Sequence, residues 1–176
     1  MDLWLSDERC VPPDHEQSNS RLVERVLIDP LPEEGRPVFH RMRGELGPQD
    51  GANAYEEELR AAGPADDDPP AFELILIGLG PDAHTCSLFP NDAALGVRDR
   101  WVVGVETPGM APLVPRITLT LPVVNAGRRV VFLVTGEDKA DAVARAFSGH
   151  PDPRAPGSLV EGSPVVLLDQ AAAARL

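Results

Sequence analysis

Apolar positions along the chain fall into short continuous runs and helical repeats, separated by proline, glycine and charge. Leu74, Ile75, Leu76 and Ile77 form an unbroken run, which predicts a parallel strand covered on both faces and stopping at Gly78. Residues 130–134 are a second fully apolar strand, and Gly136 then opens a helix over 137–147 with Gly149 and Pro151 beyond its end. Residues 165–168, with Asp169 leading 171–174, repeat this strand–helix pattern. Ile117, Leu119 and Leu121 alternate with Thr118 and Thr120 and predict a half-buried strand, with a short helix over 123–126 before Gly127. Earlier, Leu22, Val23, Val26 and Leu27 recur at helical spacing and predict a helix over 20–28, with Arg21, Glu24 and Arg25 facing water. Asp50 is placed to cap a helix over 52–62, in which Tyr55 and Leu59 stand four apart and Gly63-Pro64 forms a stop. Asp66-Asp67-Asp68 then reads as a solvated loop, and short strands are expected at 3–5, 38–39 and 101–105. Residues 106–115, with three prolines and Gly109, form a loop placed to cover a site.

Composition narrows the picture. At 176 residues with 43% hydrophobic positions and no linker, the chain fits one domain spanning 1–176. A net charge of −12 argues against nucleic acid and against an anionic membrane surface as partners, while leaving room for a small anion held by a few arginines. Two cysteines make no disulfide framework, and no apolar run matches a membrane span or signal-peptide core, so a cytoplasmic location is expected.

Candidate chemistry begins where the first apolar strand ends, since ligands of open α/β sheets bind at the carboxyl ends of strands. Gly78-Leu79-Gly80-Pro81-Asp82-Ala83 formally fits a dinucleotide fingerprint, but Pro81, the early Pro90 and the lack of a following strand ending in an acidic residue speak against a redox cofactor. No phosphate-binding P-loop or nucleophile elbow is present, so Cys86 and Ser87 read as packing residues. Asp82 and His84 lack the spaced partners of a metal site. His84 suits either of two roles: a general base, because imidazole titrates near neutrality, or a structural histidine bonding its own turn. Asp82 could orient His84 or accept from turn amides, and the glycine-rich turn offers N–H groups for a developing oxyanion. Arg9 ends one strand and Arg116 begins another. In a parallel sheet these need not meet, and each alone reads as a surface ion pair. His15, His40 and His150 read as surface histidines.

Taken together, Trp4-Leu5-Ser6-Asp7-Glu8-Arg9-Cys10-Val11-Pro12 with Ser18-Asn19, and Gly78 through His84 continuing Thr85-Cys86-Ser87-Leu88-Phe89-Pro90, resemble the signature blocks of the 6-phosphogluconolactonases. Pro115-Arg116-Ile117-Thr118-Leu119-Thr120, Phe132-Leu133-Val134-Thr135-Gly136 with Lys139-Ala140, and Leu167-Leu168-Asp169 with Ala172-Ala173 follow in the family's order. The related glucosamine-6-phosphate deaminases continue with Asn-Glu-Pro where this chain has Ser87-Leu88-Phe89-Pro90, which favours the lactonases over a deaminase or isomerase.

The resemblance implies a Rossmann-like, three-layer, NagB-like α/β domain with a mostly parallel sheet. It implies hydrolysis of 6-phospho-D-glucono-1,5-lactone without a redox cofactor. By the same analogy His84 would activate water with Asp82 beside it, Arg9 and Arg116 would hold the phosphate, and Asp7 and Gly80 would belong to the site, Glu8 being more structural. Two departures stand out. Ala83 occupies a position where the family usually has glycine. Family members also usually carry a strand, a glycine-rich Ser/Gly-Gly-Thr/Ser-Pro loop and helices before the Asp-Glu-Arg block. Their lack here predicts an exposed sheet edge and apolar surface, and an N-terminally shortened chain. The alternative reading is a chain without activity that binds sugar phosphates.

Overall fold

The computed structural model describes residues 1–63 and 68–176; Pro64 of the expected helix stop, and Asp66 and Asp67 of the expected loop, lie outside the described residues. Strands β1 (Asp2–Trp4), β2 (Asp7–Arg9) and β3 (Val38–His40), and helices α1 (Asn19–Val23) and α2 (Pro48–Ala62), make up the first part. Strands β4 (Ile75–Ile77), β5 (Val102–Val105), β6 (Arg116–Leu119), β7 (Val130–Val134) and β8 (Val165–Leu168) follow, with α3 (Leu121–Ala126) and α4 (Ala140–Phe147) among them. Among the described residues, three of the five strand pairings are parallel: β1–β3, β4–β7 and β7–β8. The other two build an antiparallel sheet in the order β2-β6-β5.

The parallel sheet β4-β7-β8 is covered on one side. Ile75, Ile77, Val130, Phe132 and Val134 are buried with Ala142, Val143 and Ala146 of α4, and Phe147 meets Phe132 edge-on at 5.0 Å. On the other side Leu74, Leu76, Leu133, Val165 and Leu167 are each about half exposed, Leu76 at 58%. The expectation that residues 74–77 are covered on both faces is therefore corrected. Because side chains alternate across a strand, Ile75 and Ile77 go inward while Leu74 and Leu76 meet solvent. A fully covered leucine contributes about 1.5–3 kcal/mol, so this face contributes much less than its composition suggests.

Other elements differ from the pattern for identifiable reasons. Ser18 caps α1 by accepting from Arg21 N–H at 3.2 Å, but the helix loosens into a π-type turn over Glu24–Ile28, leaving Leu22, Val26 and Leu27 exposed. Helix α2 starts ahead of the expected Asp50 cap, because Gly47 at φ 83° turns the chain and Pro48 suits a first helical position. Its Tyr55 and Leu59 are buried, and Tyr55 Oη donates to Leu5 O at 3.0 Å. β6 is buried throughout: α2 lies against Ile117 on one face, and on the other Thr118 Oγ1 accepts from Ser87 N–H. The helix expected over 137–147 is a 3-10 turn, Glu137–Lys139, followed by α4, and 171–174 form turns in which Ala172 N–H donates to Asp169 Oδ1 at 2.7 Å.

His40 is not a surface histidine. Its ring stacks on Trp4 at 3.7 Å, with Nδ1 2.6 Å from Glu58 and Nε2 3.2 Å from Asp2. Burial alone would push this imidazole down, but the bonds to Glu58 and Asp2 outweigh it and raise its pKa. The folded chain thus holds the proton to higher pH than the unfolded one. The stabilisation is complete below the unfolded value, about 6.5, and is lost as pH rises through the raised value. Melting temperatures are expected to fall from about pH 6 to about pH 8 more steeply for the native chain than for His40→Gln. Equal slopes would remove His40 from the pH dependence.

Candidate active site

The turn after β4 closes on itself. Gly80 N–H donates to His84 O at 2.8 Å, Ala83 N–H to Gly80 O at 2.9 Å and His84 N–H to Asp82 Oδ1 at 3.1 Å. Thr85 Oγ1 ties the turn back to Gly78 O at 2.9 Å. Ala83 has φ 71° and Cys86 φ 52°, so left-handed non-glycine residues flank His84. Such conformations cost on the order of 1–3 kcal/mol each. The positive φ explains why glycine suits position 83; the alanine methyl is fully buried, and that contact offsets part of the strain.

His84 Nδ1 lies 2.5 Å from Asp82 Oδ1. Burial pushes the Asp82 carboxyl up, but the bonds from the His84 ring and backbone outweigh it and hold the carboxyl below its ordinary value. An ionised Asp82 keeps the shared proton on Nδ1, which leaves Nε2 as the proton acceptor. The N–H groups of Gly80, Ala83 and His84 are already bonded within the turn. The expected oxyanion role of the turn amides is therefore not available to these three.

Arg9 and Arg116 face each other directly. β2 pairs with β6 in antiparallel register, and Arg9 is the cross-strand partner of Arg116. This corrects the expectation, drawn from a parallel arrangement, that they need not meet. Neither is a surface ion pair: Arg9 Nη1 donates to Gln17 O at 2.8 Å, while Arg116 Nε and Nη2 donate to Val114 O and Pro112 O at 3.1 and 2.8 Å. Arg9 Nε is buried and makes no hydrogen bond among the described residues. Burial first, and the neighbouring Arg9 charge second, lower the pKa of Arg116. Like charges directly opposite each other destabilise a strand pair. An anion between them removes that penalty.

Asp7 is on the same strand. It accepts from Ser87 Oγ at 2.6 Å and from Asn19 Nδ2 at 3.3 Å, and burial raises its pKa despite the Ser87 bond and the two arginines. Asp7, Arg9, Gly80, His84, Arg116 and Lys139 line one cavity of about 430 Å³, while Asp82 sits behind His84. Met110 and Ala111 bring the predicted loop 106–115 to its rim. Lys139 and Asn19 lie in the sequence motifs without a role assigned to them, and Ser87, expected to be a packing residue, instead donates to Asp7. Ser87 acts from 80 positions away, through Asp7. Cys86 borders the cavity too, but burial pushes its thiol up to about 12, consistent with a packing role. A second hollow of the same volume, beside β5, has its charged groups already engaged: Arg100 with Glu56 at 2.8 Å, and Glu106 with Gln49 at 3.4 Å.

A polar cavity at the carboxyl end of a parallel strand, with a carboxylate–imidazole pair and facing guanidinium groups, defines a Rossmann-like α/β protein equipped for a small anionic ligand. The chain belongs to the glucosamine-6-phosphate isomerase/6-phosphogluconolactonase family, whose model matches residues 1–168. It is 38% identical over 185 residues to a 6-phosphogluconolactonase of Streptomyces coelicolor, covering all of this chain and 70% of that protein. To the human 6-phosphogluconolactonase it is 39% identical over 175 residues, covering 97% of this chain and 66% of the human one. The solved 6-phosphogluconolactonase of Trypanosoma brucei superposes with a TM-score of 0.79 at 28% identity, covering 98% of this chain and 73% of that one. No helix among the described residues is long and apolar enough to cross a membrane.

Proposed function

We propose that residues 1–176 form one lactonase-like unit that hydrolyses 6-phospho-D-glucono-1,5-lactone to 6-phospho-D-gluconate, a step of the oxidative pentose phosphate pathway, in the cytoplasm. The observation that carries this reading is the cross-strand pair Arg9–Arg116, two guanidinium groups sharing a cavity with the His84–Asp82 pair. The curated relatives, named for this activity, support the same substrate.

In this reading Arg9 and Arg116, with Lys139 beside them, hold the phosphate, and the sugar lactone extends toward His84. Asp7, a carboxyl kept in place by Ser87 and Asn19, meets sugar hydroxyls and not the phosphate, because two anions in contact repel. His84 Nε2 takes a proton from water as the water oxygen adds to the lactone carbonyl. The ring C1–O bond then breaks, and the imidazolium returns that proton to the leaving ring oxygen. Asp82 orients the ring and stabilises its protonated form. Gly80 contributes by leaving space for this pair.

The test is lactone hydrolysis by the purified chain with spontaneous hydrolysis subtracted. His84→Ala is expected to lose about 10²–10⁴-fold in kcat, with 6-phosphogluconate binding retained in calorimetry. Equal rates for the two proteins would remove His84 from the mechanism. Binding without turnover in the native chain would instead favour an inactive sugar-phosphate binder.

A further inference from the structure

Phe89 has a place that neither its sequence position nor the chemistry above assigns. Its ring is 2% exposed and packs in the second apolar cluster with Leu88, Ala94, Leu95, Val105 and Leu121, yet it also borders the cavity. One side of the ring meets the His84 imidazole, with centroids 4.8 Å apart and planes tilted by 42°. The Arg116 guanidinium carbon lies 6.0 Å from the same ring centre, at the outer edge of cation–π range. The covering loop rests here as well, since a Cβ at Gly109 would come within 3.2 Å of the Phe89 Cβ.

We propose that Phe89 is a positioning residue that sets the relative placement of the His84 imidazole and the Arg116 guanidinium. This rests on the lactonase reading. A single bond from Nδ1 to Asp82 fixes one nitrogen of His84 but leaves the ring able to swing about that bond. The face of Phe89 limits the swing and holds Nε2 toward the cavity. Arg116 is bonded to the carbonyls of Pro112 and Val114, so its guanidinium moves with the loop that lies against Phe89. One rigid ring in a packed cluster therefore ties the water-activating end of the cavity to its phosphate end. A side chain without a flat face releases both.

The experiment compares Phe89→Leu and Phe89→Met with the native chain in steady-state lactone hydrolysis, below the melting temperature of each. Affinity for 6-phosphogluconate is measured by calorimetry. Phe89→Met stays apolar and has an unbranched, adaptable side chain that fills irregular gaps, which guards against loss of folding. Leu95→Val, in the same cluster but away from the cavity, reports plain core damage. Both Phe89 variants are expected to lose about 10–100-fold in kcat, as a misplacement of about 1 Å can cost, and to bind 6-phosphogluconate at least about threefold more weakly through Arg116. Leu95→Val is expected to lower the melting temperature with kcat and affinity within about twofold. Phe89 variants with kcat and affinity within about twofold of native, or a Leu95→Val loss as large as theirs, would overturn the proposal and leave the lactonase reading intact. A native chain that neither hydrolyses the lactone nor binds 6-phosphogluconate would overturn both.

Discussion

Gly80→Ala is expected to lower lactone hydrolysis by about 10²-fold or more, close to the loss from removing His84 itself. A Cβ at this position would lie 2.1 Å from His84 Nδ1, 2.2 Å from Cε1 and 2.8 Å from Asp82 Oδ1. All three are far inside van der Waals contact. The methyl group can be accommodated in two ways. Either the imidazole swings out and its bond to Asp82 breaks, or the turn opens and the Gly80 N–H to His84 O bond is lost. Both misplace Nε2. Overpacking of this kind also costs about 1–3 kcal/mol of stability, visible as a lower urea midpoint. Gly78 provides the contrast: a Cβ there meets nothing within 4 Å, so alanine at 78 leaves the pair its space. A Gly80→Ala protein with kcat within about threefold of native would show that the space left by Gly80 around the His84–Asp82 pair does not limit turnover.

Glu8→Ala should be the most destabilising of the substitutions considered. The Glu8 carboxylate is 1% exposed and accepts five hydrogen bonds, from the N–H groups of Arg9, Asn19 and Ser20 and the hydroxyls of Ser18 and Ser20. Alanine leaves three backbone donors without that partner, that of Ser20 buried and those of Arg9 and Asn19 part-buried. Each unsatisfied group costs about 1–3 kcal/mol, so a loss of about 3 kcal/mol or more is expected even after partial hydration. That is a large share of a typical total of about 5–15 kcal/mol. Glu8→Gln should lose less, because the amide oxygen still accepts while its N–H₂ group faces donors. Function falls with stability, since the same clamp brings Asn19 to Asp7 and Gln17 O to Arg9. Urea unfolding with unchanged m-values is the check. A Glu8→Ala loss under about 1 kcal/mol would mean that water replaces the carboxylate at little cost.

How much of this was legible in the sequence depended on the distance over which each residue works. β7 and β8 were readable because their apolar runs are local and end at glycine or aspartate, and Tyr55 and Leu59 of α2 lie one helical turn apart. β2 was not readable as a strand in an antiparallel sheet. Its three residues are all charged, and their partners Arg116, Ile117 and Thr118 lie more than a hundred positions away. Thr118 and Thr120, alternating with apolar residues, suggested a solvent face, yet both are buried with their hydroxyls bonded, Thr118 to Ser87 N–H and Thr120 to Arg100 O. The site followed the same rule. His84 and Asp82 are two positions apart and could be paired from the turn alone, whereas Ser87 acts on Asp7 across 80 positions. Phe89 stands in the motif stretch Ser87-Leu88-Phe89-Pro90 with no role of its own assigned. Only its packing links it to both ends of the cavity.

The half-covered face of the β4-β7-β8 sheet also decides how molecules of this chain tolerate one another in solution. Five leucine and valine side chains form a sticky surface, and a net charge of −12 holds like molecules apart. That repulsion acts over about 10 Å at 0.1 M salt and shrinks to about 3 Å at 1 M, whereas sulfate and phosphate strengthen apolar association. Colloidal stability thus depends on charge and not on a sealed surface. It is least in concentrated kosmotropic salt and near pH 4.6, where the chain's net charge vanishes.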